Sequence, residues 1–401
     1  MTKFSKQKIN KLGDHLHNLY VPERLPGCSV LINYNNEEVY YYETGLSDLK
    51  RKKNINRDSI FRIYSMTKPL TSMGIMLLLE EGKIKIEDEV EKYIPEWKDL
   101  SVYQSGSIEN LITEPPKRKM IIHDLLTHRS GLTYHFNESA IAQLYLDKGV
   151  TIARSPEKLS PDEYIKIISD IPLEFSPGEY FNYSISTDIL GFIIERISGM
   201  TLEEYLSEKI IVPLGMNDTT FHIDKSKLDR FSSCYIYDEI ADKYILQDDS
   251  IETSYLEKPR SFSGGGGLLS TIDDYMKFCN LIQNNGSTDK ENIIGSRTLD
   301  YMVSNQLNHG EDLHQIGKGR WGKEEFKGVG FSLGGSVVLD PVENMSIRSK
   351  GEFAWGGAAS TAFWIDKKEN ISVVFMTQML SFPYSDSLRK ELRTLVYQAL
   401  I

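Results

Sequence analysis

Ser65 and Lys68 stand three residues apart. On a helix that spacing is close to one turn, so both side chains share a face. An ammonium beside a hydroxyl favours its ionisation. An amine desolvated enough to lose its proton could take the hydroxyl proton instead. A helix N-terminus at the serine would favour developing negative charge as well. This is the chemistry of an activated nucleophile. The spacing alone is common, since Ser-x-x-Lys also starts at Ser5, Ser47, Ser155, Ser287 and Ser387. Context separates Ser65: it alone follows a strand-like Phe61-Arg-Ile-Tyr64 and opens a long apolar segment.

Two other patterns look chemical and fail on context. Gly330-x-Ser332-x-Gly334 spells a nucleophile elbow, which requires a strand before it and a helix after it. Here Gly335-Ser-Val-Val-Leu-Asp340 follows, which reads as strand and turn. His123, Asp124 and His128 are close in sequence, but two histidines five apart on a short helix do not face together. His135 lies beyond Gly131 at no ligand spacing. No metal and no organic cofactor is expected.

The segment FRIYSMTKPLTSMGIMLLLEEGKI around Ser65-Met-Thr-Lys68-Pro69 resembles the nucleophile helix of the serine β-lactamase and penicillin-binding-protein superfamily. Further segments match in order: Leu125-Leu-Thr-His-Arg-Ser-Gly131-Leu132, Phe175-Ser-Pro-Gly178-Glu through Tyr183-Ser184, Pro213-Leu-Gly-Met216 and Gly265-Gly-Gly267-Leu268. The resemblance spans roughly residues 20–400. It places the second motif at Tyr183-Ser-Ile185, with isoleucine where lactamases and DD-peptidases carry asparagine. Tyr180-x-Asn182 and Tyr34-x-Asn36 offer competing registers. The distance from Pro177-Gly178 and the following Ser184, Asp188, Leu190 and Gly191 favour Tyr183. The third motif, usually Lys-Thr-Gly, reads Trp355-Gly356-Gly357-Ala358. Tyr-Ser-x with Trp-Gly-Gly is similar to family VIII carboxylesterases and the related fungal polyketide acyltransferases. So is the stretch Glu114-Pro-Pro-Lys-Arg-Lys119 before the Leu-Leu-Thr-His turn.

The resemblance implies an acyl-enzyme on Ser65, with Lys68 and Tyr183 as general base. A free phenol has a pKa near 10, so Tyr183 would need Lys68 beside it. The backbone N–H groups of Ser65 and Ala358 would form the oxyanion hole. Trp355, Gly356, Gly357 and Ile185 would contact substrate. Tyr134, just past the Ser130-Gly131 turn, would line the pocket or pack in the core. A Lys-Thr pair binds a substrate carboxylate, and tryptophan cannot form that ion pair, although its N–H can donate to a neutral group. The expected substrate is therefore a small or medium carboxylic ester. The alternatives are an acyltransferase with the same site, a weak β-lactamase or D-amino-acid peptidase, and a non-catalytic homologue.

These residues need a scaffold. Residues 5–20 read as an amphipathic helix. Residues 28–34 and 39–42 read as strands around Asn35-Asn36, a hairpin signal. Residues 66–79 form a helix apolar nearly all round, with Pro69 at a tolerated first-turn position. Shorter helices follow at 122–127, 161–168 and 187–197, and Thr201-Leu-Glu-Glu204 has the capping-box pattern. Another helix opens at Thr271. Residues 102–119 are polar and read as a long loop. Four strand-like runs at 329–339, 345–353, 360–365 and 371–376 are closely spaced, which implies an antiparallel meander. Leu388, Leu392, Leu395, Val396 and Ala399 mark a final helix. The expected fold is α+β and β-lactamase/transpeptidase-like: an antiparallel sheet built from both chain ends, flanked by helices, plus a helical lobe. Residues 1–401 would form one catalytic unit, with an α/β lobe from 1–60 and 325–401 and a mainly helical lobe from 61–324.

Composition narrows the classes further. Lys plus Arg is 46 and Asp plus Glu is 57, a net charge of −11. That balance argues against nucleic acid or an anionic membrane surface as partner. No apolar run approaches the ~18–20 residues that cross a bilayer. The first twenty residues lack the apolar core of a secretory signal. The three cysteines, Cys28, Cys234 and Cys279, show no zinc or disulfide pattern. Together these point to a cytoplasmic protein; the resemblance implies a small-molecule ester as its substrate, and a homo-oligomer is compatible with both.

Overall fold

The computed structural model describes residues 3–150, 159–241 and 243–401. Its largest element is an eight-stranded sheet. The strand order is Val329–Phe331, Ser336–Val338, Phe353–Gly356, Ala362–Asp366, Ile371–Thr377, Gly27–Tyr34, Glu37–Asp48 and Lys53–Asn54. Neighbours run antiparallel throughout. Both chain ends thus meet at the centre, where Cys28 pairs with Thr377 and Tyr34 with Ile371. Asn35 and Asn36 both take positive φ, at 53° and 64°. A two-residue hairpin turn that follows the strand twist needs that conformation, which asparagine tolerates.

The two central strands are buried on both faces, and alternate residues point to different cores. Val30, Ile32, Val373 and Phe375 face a layer made by the Lys6–Leu19 and Ser385–Tyr397 helices through Ile9, Leu12, Leu16, Leu388, Leu392 and Val396. Leu31, Val374 and Met376 face the opposite core, which holds the Lys68–Glu80 and Ile272–Gln283 helices. The Lys68–Glu80 helix is buried from Lys68 through Leu78, as its all-round apolar pattern requires. Its Gly74 lies against the Ser186–Ser198 helix; a Cβ there would meet Ile194 Cδ1 at 3.0 Å. Thr201 caps the Leu202–Leu206 helix reciprocally with Glu204, and Gly199 closes the preceding helix with φ at 73°.

Several expectations need correction. Residues 102–119 are not a plain loop: Val102–Ser107 and Asn110–Glu114 pair as a hairpin. Its side chains are mostly exposed, so no apolar alternation marks it. A second hairpin, Cys234–Asp238 with Lys243–Asp248, adds Met379–Leu380 in parallel. The run 329–339 is two short strands with a turn between them. The run 345–353 becomes strand only from Phe353, and Met345 and Ile347 are exposed. The cysteines are buried and unpaired with one another. Among the described residues no helix is long and apolar enough to cross a membrane.

Candidate active site

Ser65 lies in a 3-10 turn, Tyr64–Thr67, that runs directly into the Lys68–Glu80 helix. Tyr64 has φ at 44°. A non-glycine residue held there costs roughly 1–3 kcal/mol, and such strain gathers where a side chain must be presented. Three contacts hold it: the Ile63 N–H donates to the Leu268 carbonyl, the Met66 N–H to the Ile63 carbonyl, and the Tyr64 hydroxyl lies 3.6 Å from Cys234 Sγ.

Lys68 is fully buried. Its Nζ donates to Ser65 Oγ at 3.2 Å, to the Tyr134 hydroxyl at 3.1 Å and to the Gly265 carbonyl at 2.6 Å. An ammonium has three donors, and all three are used. The Tyr183 ring lies against the same nitrogen, 4.6 Å from Nζ to centroid. The Tyr183 hydroxyl accepts from Trp355 Nε1 at 3.3 Å. The Ser65–Lys68 turn, Tyr183 and Trp355, far apart in sequence, are thereby one cluster.

Tyr134 is also part of it. Burial pushes its phenol well above the usual range, and the facing Tyr183 adds to this, so Tyr134 stays neutral and accepts from Lys68. His128, whose ring lies 4.7 Å from that of Tyr183, is buried. Desolvation, with the nearby Lys68 charge, depresses its pKa well below the ordinary value, so the imidazole is neutral. Its Nδ1 accepts from the Ser184 N–H at 3.3 Å, which ties the Leu-Leu-Thr-His turn to the Tyr183 segment. Among the described residues no group of three or more His, Cys, Asp or Glu could hold a metal ion.

The glycines explain the close approach of the remaining segments. A Cβ on Gly357 would sit 2.3 Å from Thr361 Oγ1 and 2.4 Å from the Ile63 carbonyl oxygen. Only a bare backbone lets the Trp355–Ala358 segment lie this near the serine turn. From the other face of the sheet, Arg389 donates to the Thr361 carbonyl at 3.0 Å and the Gly357 carbonyl at 3.4 Å. Ala358 is exposed, and its N–H has no hydrogen bond among the described residues. A cavity of about 840 Å³ opens over this cluster, lined by Ser65, Tyr134, Tyr183, Trp355, Gly356, Gly357 and Ala358.

One proposed contact falls elsewhere. Ile185 is 2% exposed and packs in the core, away from the cavity lining. It precedes the first turn of the Ser186–Ser198 helix, which turns its side chain inward. Tyr180, the competing register, is 41% exposed with Lys318 over its ring; Asn182 is buried against the Leu132 carbonyl. Ser332 is fully buried and donates to the Gly335 carbonyl at 2.8 Å. Of the other Ser-x-x-Lys copies, Ser5 caps the first helix, Ser47 bonds to the Lys53 and Asn54 carbonyls, and Ser387 bonds to the Tyr384 carbonyl. Ser155 lies outside the described residues. Two participants were not foreseen. The Gly265 carbonyl takes the shortest Lys68 bond, and the four-glycine run was the signal for close approach there. Trp321 stacks on Trp355 at 5.7 Å and 12°, and nothing in its surrounding sequence marks it.

An eight-stranded antiparallel sheet backed by helices, with a serine and a buried lysine one turn apart beside its Phe353–Gly356 strand, defines the class of β-lactamase-fold serine hydrolases and acyltransferases. The chain belongs to the beta-lactamase family, whose model matches residues 14–398. It is 30% identical over 358 residues to protein Rv1367c of Mycobacterium tuberculosis, covering 88% of this chain and 86% of that one. It is 26% identical over 391 residues to the esterase EstB of Burkholderia gladioli, covering 93% and 91%. Among solved structures, EstCE1, described as a hydrolase with promiscuous acyltransferase activity, superposes with a TM-score of 0.80 at 23% identity, covering 98% of both chains. These place the chain in the serine β-lactamase and penicillin-binding-protein superfamily, in the neighbourhood of the family VIII esterases.

Proposed function

We propose that the protein is a carboxylesterase that cleaves small to medium esters through an acyl-enzyme on Ser65. The observation that carries this reading is the 3.2 Å contact between Ser65 Oγ and the buried Lys68, opening on a cavity where Trp355 stands in place of a cationic third motif. Ser65 Oγ attacks the ester carbonyl carbon while its proton passes to the Lys68–Tyr183 pair. The Ser65 and Ala358 N–H groups receive the carbonyl oxygen as it becomes an oxyanion; each such donor is typically worth ~10²–10³ in rate. The tetrahedral adduct collapses, the C–O bond to the alcohol breaks, and the pair returns the proton to the departing oxygen. Water then attacks the acyl-enzyme by the same route and releases the acid.

The cavity is within the ~300–1,000 Å³ range of small-molecule sites. At the third-motif position a neutral ester fits better than a D-Ala-D-Ala or β-lactam carboxylate, because Trp355 carries no charge and its indole N–H is already directed at Tyr183. Acyl transfer is the second reading. It uses the same steps with an alcohol or amine replacing water, and the cavity volume and the description of EstCE1 favour keeping it.

The test compares wild type with Ser65→Ala on short-chain p-nitrophenyl esters and a chromogenic cephalosporin. Ester turnover is expected to fall by at least ~10³ in the variant, and intact mass should show the acyl group on wild type only. Ester turnover surviving Ser65→Ala would sink the assignment. Faster cephalosporin than ester turnover would move the protein to the lactamase branch.

A further inference from the structure

Lys68 carries a buried charge, yet all three of its hydrogen-bond acceptors are neutral. A buried cation without a counter-charge is costly. An acidic group within electrostatic reach of it is Asp188, 4% exposed, in the first turn of the Ser186–Ser198 helix. Asp188 Oδ1 accepts from Ser263 Oγ at 2.5 Å and from the Gly265 N–H at 3.1 Å. Gly265 thus presents its N–H to Asp188 and its carbonyl to Lys68. The fit is tight: a Cβ on Gly265 would sit 2.4 Å from Asp188 Oδ2. The neighbouring Gly264 is equally close to this helix, since its Cβ would meet the Thr187 carbonyl at 2.6 Å, and its own carbonyl accepts from Thr71 Oγ1 at 2.8 Å. The glycine loop is clamped between the nucleophile helix and the Asp188 helix.

We infer that Asp188 is a positioning residue for the nucleophile: through Gly265 it aims Lys68 at Ser65, and its carboxylate is the counter-charge of the buried ammonium. Its own side chain does not line the cavity, although Gly265, which it holds, does, so it acts through Lys68 and not on substrate. The charged and titratable groups around the pair are Lys68, Tyr134, Tyr164, Tyr183 and His128. The two buried phenols Tyr134 and Tyr164 and the buried imidazole His128 are held neutral, which leaves Asp188 as the carboxylate acting on Lys68, beside the Tyr183 phenol of the catalytic pair. Burial holds the Asp188 pKa above the ordinary carboxylate value, and the Lys68 cation, the Ser263 hydroxyl and the Gly265 N–H oppose that rise and favour the charged form. The inference rests on the assignment of Ser65 as nucleophile.

Asp188→Asn keeps the size and the acceptor oxygen and removes the charge. The readout is the rate of Ser65 phosphonylation by a fluorophosphonate, followed by intact mass across a pH series, beside kcat and KM on a p-nitrophenyl ester. Phosphonylation forms the Oγ–P bond and expels fluoride, so it reports the nucleophile whatever the natural substrate. The variant should label at least ~10-fold more slowly near neutral pH, as expected for a misplaced or mischarged catalytic group, with KM unchanged. Its pH profile should shift to lower pH, because removing the anion takes away a charge that favours protonation of the basic groups of the site. Ser263→Ala, which leaves the carboxylate but removes its hydroxyl donor, should shift the profile the same way by less, and it serves if Asp188→Asn does not fold. A folded Asp188→Asn with wild-type rate and profile would overturn the inference, as would a slower rate with an unmoved profile, the mark of a structural role alone. Wild type that labels at Ser65 but turns over no ester would overturn the esterase reading and leave this one to its own result.

Discussion

Tyr134 and Tyr183 both lie against Lys68, and their surroundings assign them different work. Tyr134 is buried at the cavity wall, held neutral by burial, and its oxygen accepts from Lys68. Tyr183 lines the cavity and receives the Trp355 N–H, so a cation and an N–H donor both stand ready to balance negative charge at its oxygen. Tyr183→Phe should therefore lower kcat by ~10²–10⁴, the range for loss of a general acid–base group. Tyr134→Phe should cost about tenfold, the loss of one hydrogen bond to a charged group. Steady-state kinetics on one ester would decide. If Tyr134→Phe proves the more damaging, the roles are exchanged. Tyr183 and its spacing from Pro177-Gly178 were legible in the sequence. The part played by Tyr134 was not, because a tyrosine after a turn looks alike whether it holds a lysine or fills a core.

At the scale of elements, the site is a meeting of three backbones: the serine turn, the glycine loop at 264–267 and the Trp355–Ala358 segment. The third has the narrowest tolerance. Gly357→Ala would drive a methyl into the Ile63 carbonyl, which belongs to the backbone just before the nucleophile and cannot swing away as a side chain would. This variant should stay folded, with ellipticity like wild type, and lose at least ~10² in kcat as the Ala358 N–H moves off the oxyanion position. Activity near wild type would show that Ala358 does not serve there. As a control remote from the cavity, Thr201→Ala removes a capping hydroxyl and should cost about 1 kcal/mol in urea denaturation with kcat unchanged. Elements with strong periodicity or caps were readable: the buried nucleophile helix, the Asn-Asn hairpin and the Thr201 cap. The hairpin at 102–114 was not, because an exposed ribbon is held by its own ladder and needs no apolar alternation.

For the molecule as a whole, acid is the weak side. His128 is buried neutral, and burial also lowers the pKa of His123 and His135. Below their free value near 6.5, the unfolded chain binds protons that the folded chain refuses, so stability falls as pH drops. Each such histidine contributes up to about 1.4 kcal/mol per pH unit. Asp218, held by Arg230 at a pKa of about 2, adds its own loss only as pH falls below its free value near 3.8. Urea midpoints should therefore decline between about pH 7 and 5. His128→Asn, which tolerates the φ of 54° at that position, should flatten the slope. An unchanged slope would show that His128 takes up its proton while folded. What the sequence determined by itself was local: which serine stands one turn before a lysine at a strand-to-helix junction, which segments alternate, where helices begin, and that the third motif carries no cation. Motif order extended this to the fold. Tertiary structure alone decided which groups meet. It set Gly265 between Asp188 and Lys68, brought Trp321 onto Trp355, and turned Ile185 into the core. Those contacts join residues tens to hundreds of positions apart, and they depend on where backbones cross, which no local pattern encodes.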